Sequence, residues 1–184
     1  EGYWVSDALQ SAENAGMYVF TDDTTPTVVV GQQVPSLQGV ASSYGEGSAV
    51  GDLSQVELDN STAVAAVTGG TPVPLKGVAV ATATSVASGT PYQGSLVEFT
   101  NVKVTVAPSS ATYGQATLTD GTTTFTMADG AFEGYGSGSA VGTTAVGTCY
   151  KSLVGVMNLN TYDPQVRMIN PRSAADMVVG GTCP

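Results

Sequence analysis

LVEFTNVKVTVA, residues 96–107, carries the strongest strand signal in the chain. Val97 and Phe99 form one apolar alternation, and Val102, Val104 and Val106 form another beyond Thr100–Asn101. The phase changes between the two runs, and a period of two crosses such a change only through a bulge or a bend. Downstream, GQATLTDGTTTFTMAD (114–129) reads as a hairpin with Asp120–Gly121 as its turn signal. VGTTAVGTCYKSLVGVMNLN (141–160) contains a Gly-punctuated approach and then a strand, and DPQVRMIN (163–170) is the last strand. The short β-prone runs, separated by Gly, Pro, Asp and Asn, indicate an all-β chain.

The same order of elements stands earlier in the sequence. GYWVSD (2–7) corresponds to GQATLTDG (114–121), and MYVFTD (17–22) to TFTMADG (124–130). VVGQQV (29–34) matches AVGTTAV (140–146), and LQGVASSYG (37–45) matches LVGVMNLNTYD (153–163), which sets Gly39–Val40 on Gly155–Val156. VELDN (56–60) then falls on VRMIN (166–170). In a chain rich in Gly, Val and Thr each match alone is weak, but five in one order point to an internal repeat. Two tandem modules are therefore expected, 1–74 and 75–184, divided near the prolines of TPVPLKGVAVA (71–81).

The copies differ in one respect. The second begins with 96–107, whereas nothing ahead of Gly2 plays that part in the first. A five-stranded barrel without its first strand has an unpaired edge, to be covered by residues upstream, by another chain or by the 75–82 segment. The opening EGYWVSD reads as the inside of a domain, as expected of a mature or excised fragment. Helical structure is expected to be slight: STAVAAVTGG (61–70) has alanines but also β-branched residues and Gly-Gly, while 83–95 and PRSAADMVV have room for single turns.

Composition narrows the chemistry. The 184 residues include no histidine, so triads of Ser or Cys with His are excluded within the chain. The formal charge is -10, from 15 acids against 5 bases, and Lys76, Lys103, Lys151, Arg167 and Arg172 are scattered. That field repels phosphate backbones and suits a solvated extracellular surface. No apolar run is long enough for a membrane span. The only cysteines are Cys149 and Cys183. Two buried thiols are one reading of them; the favoured one is a disulfide pinning the chain end, formed in an oxidising compartment.

Candidate sites follow from loops and aromatics. Asp7, Asp22, Asp23, Asp120 and Asp129 lie at or near hairpin ends, where convergent carboxylates can hold calcium. Asp is equally an ordinary turn residue through its own side-chain hydrogen bond. Glu57, Asp59 and Glu98 are the acids within strong strand patterns, but nothing sets two of them at a catalytic separation, and no enzyme is expected. Tyr3, Trp4, Tyr18, Tyr44 and Tyr113 are the candidate ligand-contacting aromatics. Such rings stack bases beside a positive track, which this chain lacks, so carbohydrate or protein contact is at least as plausible and core packing explains most of them.

The arrangement resembles the OB-fold-like domains of secreted bacterial proteins, found N-terminal to extracellular endonuclease/exonuclease/phosphatase-type nucleases. The residues that carry the resemblance are Gly2-Tyr3-Trp4-Val5-Ser6-Asp7, Met17-Tyr18-Val19-Phe20, Val30-Gly31-Gln32-Gln33-Val34, Leu37-Gln38-Gly39-Val40, Tyr44-Gly45 and Val56-Glu57-Leu58. Pro91-Tyr92-Gln93-Gly94-Ser95-Leu96-Val97, Asn101-Val102-Lys103-Val104-Thr105 and Pro171-Arg172-Ser173-Ala174-Ala175-Asp176 complete it. Gln32 and Pro35 depart from the pattern, an insertion surrounds Cys149, and the nuclease domain is absent. The resemblance implies two partly open Greek-key barrels of five strands, the first lacking its first strand. It further implies a non-catalytic extracellular or cell-surface module, structural, adhesive or ligand-binding, within a larger protein; the alternative is an accessory substrate-binding module of a nuclease.

The tail MINPRSAADMVVGGTCP (168–184) has its counterpart in VELDNSTAVAAVTGG (56–70): a last strand, a polar turn, alanines, then Gly-Gly. Pro171 is expected to end the strand, Arg172 to pair with Asp176, and Cys183 to reach back to Cys149.

Overall fold

The computed structural model describes residues 2–6, 12–21, 28–29, 31–44, 55–63, 67–128, 141, 144–160 and 165–184. The chain is all-β, with two main sheets that are mostly antiparallel and a short two-stranded ribbon. The first sheet contains β1 (Gly2–Ser6), β2 (Gly16–Phe20), β4 (Leu37–Tyr44) and β5 (Gln55–Ala63), in the order β1-β2-β5-β4. The ribbon pairs β3 (Gln32–Gln33) with β6 (Val67–Thr68). Among the described residues from 28 to 34 only Gln32–Gln33 pair. Residues 61–63 complete β5 as strand, where β-branched neighbours prevail over alanine's helical preference.

The second sheet is built from β7 (Leu96–Phe99), β8 (Val102–Val106), β9 (Ala116–Thr119), β10 (Thr124–Met127), β11 (Cys149–Asn160), β12 (Val166–Asn170) and β13 (Met177–Val179). The bend anticipated at Thr100–Asn101 separates β7 from β8, with Asn101 in the left-handed region at φ 55°. Both strands pair with β11. β8 continues to β9, β9 to β10, β10 in parallel to β12, and β12 back to β11. The 114–129 hairpin turns where expected, with Asp120 N–H donating to the Thr123 carbonyl.

One buried cluster fills this sheet, including Val97, Phe99, Val102, Leu118, Phe125, Met127, Leu153, Met157 and Ile169. Val80 and Ala83 of the short helix α1 (Val80–Thr84) close it. The 75–82 segment thus serves the second sheet and not the edge of the first. Leu75 forms a parallel bridge to Val97, and its N–H and carbonyl bond the Leu96 carbonyl and the Glu98 N–H. The first sheet is poorer in buried apolar side chains. Among the described residues before Leu75, Val19 alone is a buried hydrophobic.

The sheets repeat one another in pairing as well as in sequence. β1-β2-β5-β4 and β9-β10-β12-β11 share order and relative direction: antiparallel, parallel, antiparallel. The parallel registers coincide, since Val19 opposes Leu58 and Thr126 opposes Met168, the same positions in the two halves. β6 and β13 also correspond: each precedes a Gly-Gly pair and returns to the chain just ahead of, or within, the fourth strand of its half.

The halves touch at one described junction. Asn14 N–H donates to the Pro91 carbonyl at 2.6 Å, Tyr92 Oη to Glu13 Oε1 at 2.9 Å, and Ser95 Oγ to the Ala12 carbonyl at 2.6 Å. Gly16 and Gly94 meet backbone to backbone, so close that a Cβ on Gly16 would stand 2.0 Å from the Gly94 carbonyl carbon. The Glu13 hydrogen bond, with burial and the carboxylate's charge, raises the Tyr92 pKa.

Candidate functional site

The first candidate is the face of the first sheet that carries Trp4 and Tyr18. Directly opposed residues of neighbouring strands share a face, and alternate residues along a strand return to it. Trp4 opposes Tyr18, Tyr18 opposes Glu57, Glu57 opposes Ser42, and Asp59 opposes Val40. These six therefore lie on one surface. The Trp4 and Tyr18 rings pack 4.9 Å apart at 52°. Glu57 is buried, and Asp59 Oδ1 and Ser42 Oγ are buried without a hydrogen-bond partner among the described residues.

Not all five aromatics expected to contact a ligand lie on this surface. Trp4 and Tyr18 are together, while Tyr3 alternates to the reverse face of β1. Tyr44 ends β4, and its side chain is outside the described part. Tyr113 belongs to the second half, where it is 77% exposed in a left-handed turn ahead of β9.

A second candidate is a cleft of about 390 Å³ lined by residues 76–80, Glu98, Phe99, Thr100 and Asp120. Leu75's bridge to β7 brings Lys76 beside Glu98, and the Nζ–Oε2 distance is 3.1 Å. Ser152 Oγ donates to Glu98 Oε1. That hydrogen bond chiefly holds the Glu98 carboxyl below its ordinary pKa, against burial and with help from Lys76. Asp120 is also lowered: burial opposes its charge but is outweighed by donors from the Thr123 and Thr122 backbone and the Thr122 hydroxyl. These bonds, at 2.7–2.9 Å, all engage Asp120 Oδ1.

Asp120 is thus occupied as a turn former. Of its proposed calcium partners, Asp7, Asp22, Asp23 and Asp129 lie outside the described residues. Among the described residues no three His, Cys, Asp or Glu side chains converge as metal ligands do.

Arg167 is the group that sequence reasoning passed over. It lies on β12, 2% exposed, and its guanidinium donates to the carbonyls of Ser85 and Val86, to Gln93 Oε1 and to Thr90 Oγ1. Burial lowers its pKa. Spacing offered no signal, because its partners lie 74–82 residues away, between the end of α1 and the residue after the 3-10 turn Thr90–Tyr92. The guanidinium braces the 85–93 loop, which carries the residues that meet Asn14 and Glu13.

The tail behaves as expected. Arg172 and Asp176 form a two-pronged pair, Nε–Oδ2 at 2.9 Å and NH2–Oδ1 at 2.8 Å, and Asp176 also accepts the Arg172 backbone N–H. Cys149 and Cys183 are joined in a disulfide, with Cα atoms 5.8 Å apart. Cys149 begins the continuous strand β11. Lys103 Nζ donates to the terminal Pro184 carbonyl.

No protein-family model, curated protein or solved structure matches the chain.

Proposed function

We propose that the chain is a non-catalytic extracellular module of a larger secreted or surface protein, built of two tandem OB-like units, 1–74 and 75–184, and serving as a structural, adhesive or binding element. The repeated strand order with its shared parallel register carries this reading. In the second half the pairings run β8-β9-β10-β12-β11 and return to β8, which supports the reading of a five-stranded Greek-key barrel. The resemblance to domains of secreted bacterial proteins, the disulfide and the acidic surface support an extracellular, bacterial setting. Protein or carbohydrate is the favoured ligand class.

The alternative, an accessory nucleic-acid-binding module of a nuclease, draws on the Trp4–Tyr18 ring pair, since aromatic platforms stack bases. The net charge of -10 opposes it. Titrating the chain with single-stranded oligonucleotides over a range of ionic strength separates the two. The favoured reading expects no saturable binding, whereas binding that weakens steeply with salt would replace it with the alternative.

A further inference from the structure

We propose that the gap between β1 and β4 is a strand-accepting slot, whose occupant is an extended peptide patterned like Leu96–Val106. The inference rests on the two-unit reading and names the partner chemistry of the first unit.

The chain itself holds an example of the occupied slot. In the second half β8 lies between β9 and β11, and β7 extends its pairing along β11. β9 and β11 are the counterparts of β1 and β4. Among the described residues, no strand pairs with the outer edges of β1 or β4.

The side chains agree with the pairing. Pairing registers set Tyr18 on Phe125 and Trp4 on Leu118. Phe125 packs edge-on against Phe99 of β7 at 5.4 Å, whereas Tyr18 turns to Trp4 at 4.9 Å. By pairing, one residue out of step with the sequence match, Val40 opposes Asp59 as Met157 opposes Ile169; Val40 is 61% exposed, whereas Met157 is 0% and Val156 6%. Asp59 Oδ1 and Ser42 Oγ share that face without described partners, so it is not a finished apolar surface.

The required strand is therefore alternating and β-branched, with an aromatic at the position of Phe99. Leu96–Val106 has this character: Phe99, Val102 and Val104 are buried, while Lys103 and Thr105 alternate to the other face of β8. Its lysine also suits a chain of charge -10. Strand addition of this kind takes affinity from main-chain hydrogen bonds and specificity from alternate side-chain pockets.

Trp4, the single tryptophan, is the reporter, since it stands on the slot's face. A synthetic peptide of residues 96–106 is titrated into the intact chain while Trp4 fluorescence is followed. A saturating blue shift at one peptide per chain is expected, and the same peptide carrying Val102→Pro and Val104→Pro should give none, because proline cannot donate to the ladder. Val40→Asp in the protein, at an exposed position, should weaken the peptide by about ten-fold or more, since it buries a carboxylate under the bound strand. Equal shifts from a scrambled peptide, or no saturable shift, would overturn the proposal. So would self-association by sedimentation that Val40→Asp abolishes, which would make a second copy the occupant. The oligonucleotide titration involves no peptide and the peptide titration no nucleic acid, so the two readings fail separately.

Discussion

Gly155 on β11 approaches Ile169 on β12 so closely that a Cβ there would stand 2.6 Å from Ile169 Cγ1 and 2.8 Å from the Asn170 carbonyl. Gly39 on β4 does the same to β5, with Leu58 Cγ and the Asp59 carbonyl oxygen both at 2.7 Å. The two glycines that sequence comparison superposes therefore perform one task, letting the fourth strand of each half close on the fifth. Gly155→Ala must displace backbone within a packed core and is expected to cost about 1–3 kcal/mol in urea unfolding. Gly39→Ala should cost less, because β4 is largely exposed and Leu58 can yield.

Much of the architecture was legible because it is written as alternation and turns. The phase change at Thr100–Asn101, the Asp120–Gly121 hairpin and the Arg172–Asp176 spacing are local signals, and each corresponds to an observed feature. Helix α1 was not readable in this way: five residues without a capping side chain are held by burying Val80 and Ala83. Nor was the Lys76–Glu98–Ser152 group, which depends on Leu75 pairing with β7. Tyr3 stands apart from the Trp4–Tyr18 pair because strand alternation sends adjacent Tyr3 and Trp4 to opposite faces.

Arg167 places a charge where only loop carbonyls and neutral side chains are seen to receive it. Arg167→Ala leaves the Ser85 and Val86 carbonyls and Gln93 without that donor, and a loss of about 1–3 kcal/mol is expected. Lysine supplies charge without the planar fork, so Arg167→Lys should not restore stability. Hydrogen exchange should show the loosening concentrated at 85–93; uniform loosening would contradict the bracing role.

Arg172 and Asp176 are only 19% and 10% exposed, so their pair is more than a surface contact. Asp176→Ala removes both prongs and the acceptor for the Arg172 N–H. A destabilisation of about 1–3 kcal/mol is expected, discounted from the fully buried case for the remaining solvent. A shift in the urea midpoint with unchanged slope would register it.

The Cys149–Cys183 link closes a span of 34 residues across β11, β12 and β13. Reduction is expected to cost roughly 2–4 kcal/mol, visible as a lower melting temperature in reductant. Exchange should rise first at Met177–Val179, the short strand held between the disulfide and β11.

Glu98 makes the stability depend on acid. Its folded pKa lies below the ordinary 4.5, chiefly because Ser152 donates to the carboxylate. Between the folded and unfolded values the unfolded chain binds more protons, so stability rises with pH through that window. The contribution is fully present above the unfolded value and is lost as pH falls through the folded one. Glu98→Gln keeps an acceptor for Ser152 but cannot titrate, so its stability relative to the wild type should improve as pH falls through that window. Unfolding midpoints measured from neutral pH into acid test this. Parallel curves for the two proteins would show that Glu98 does not govern the loss, leaving Asp120, lowered in the same direction by its turn hydrogen bonds, as the next group to replace.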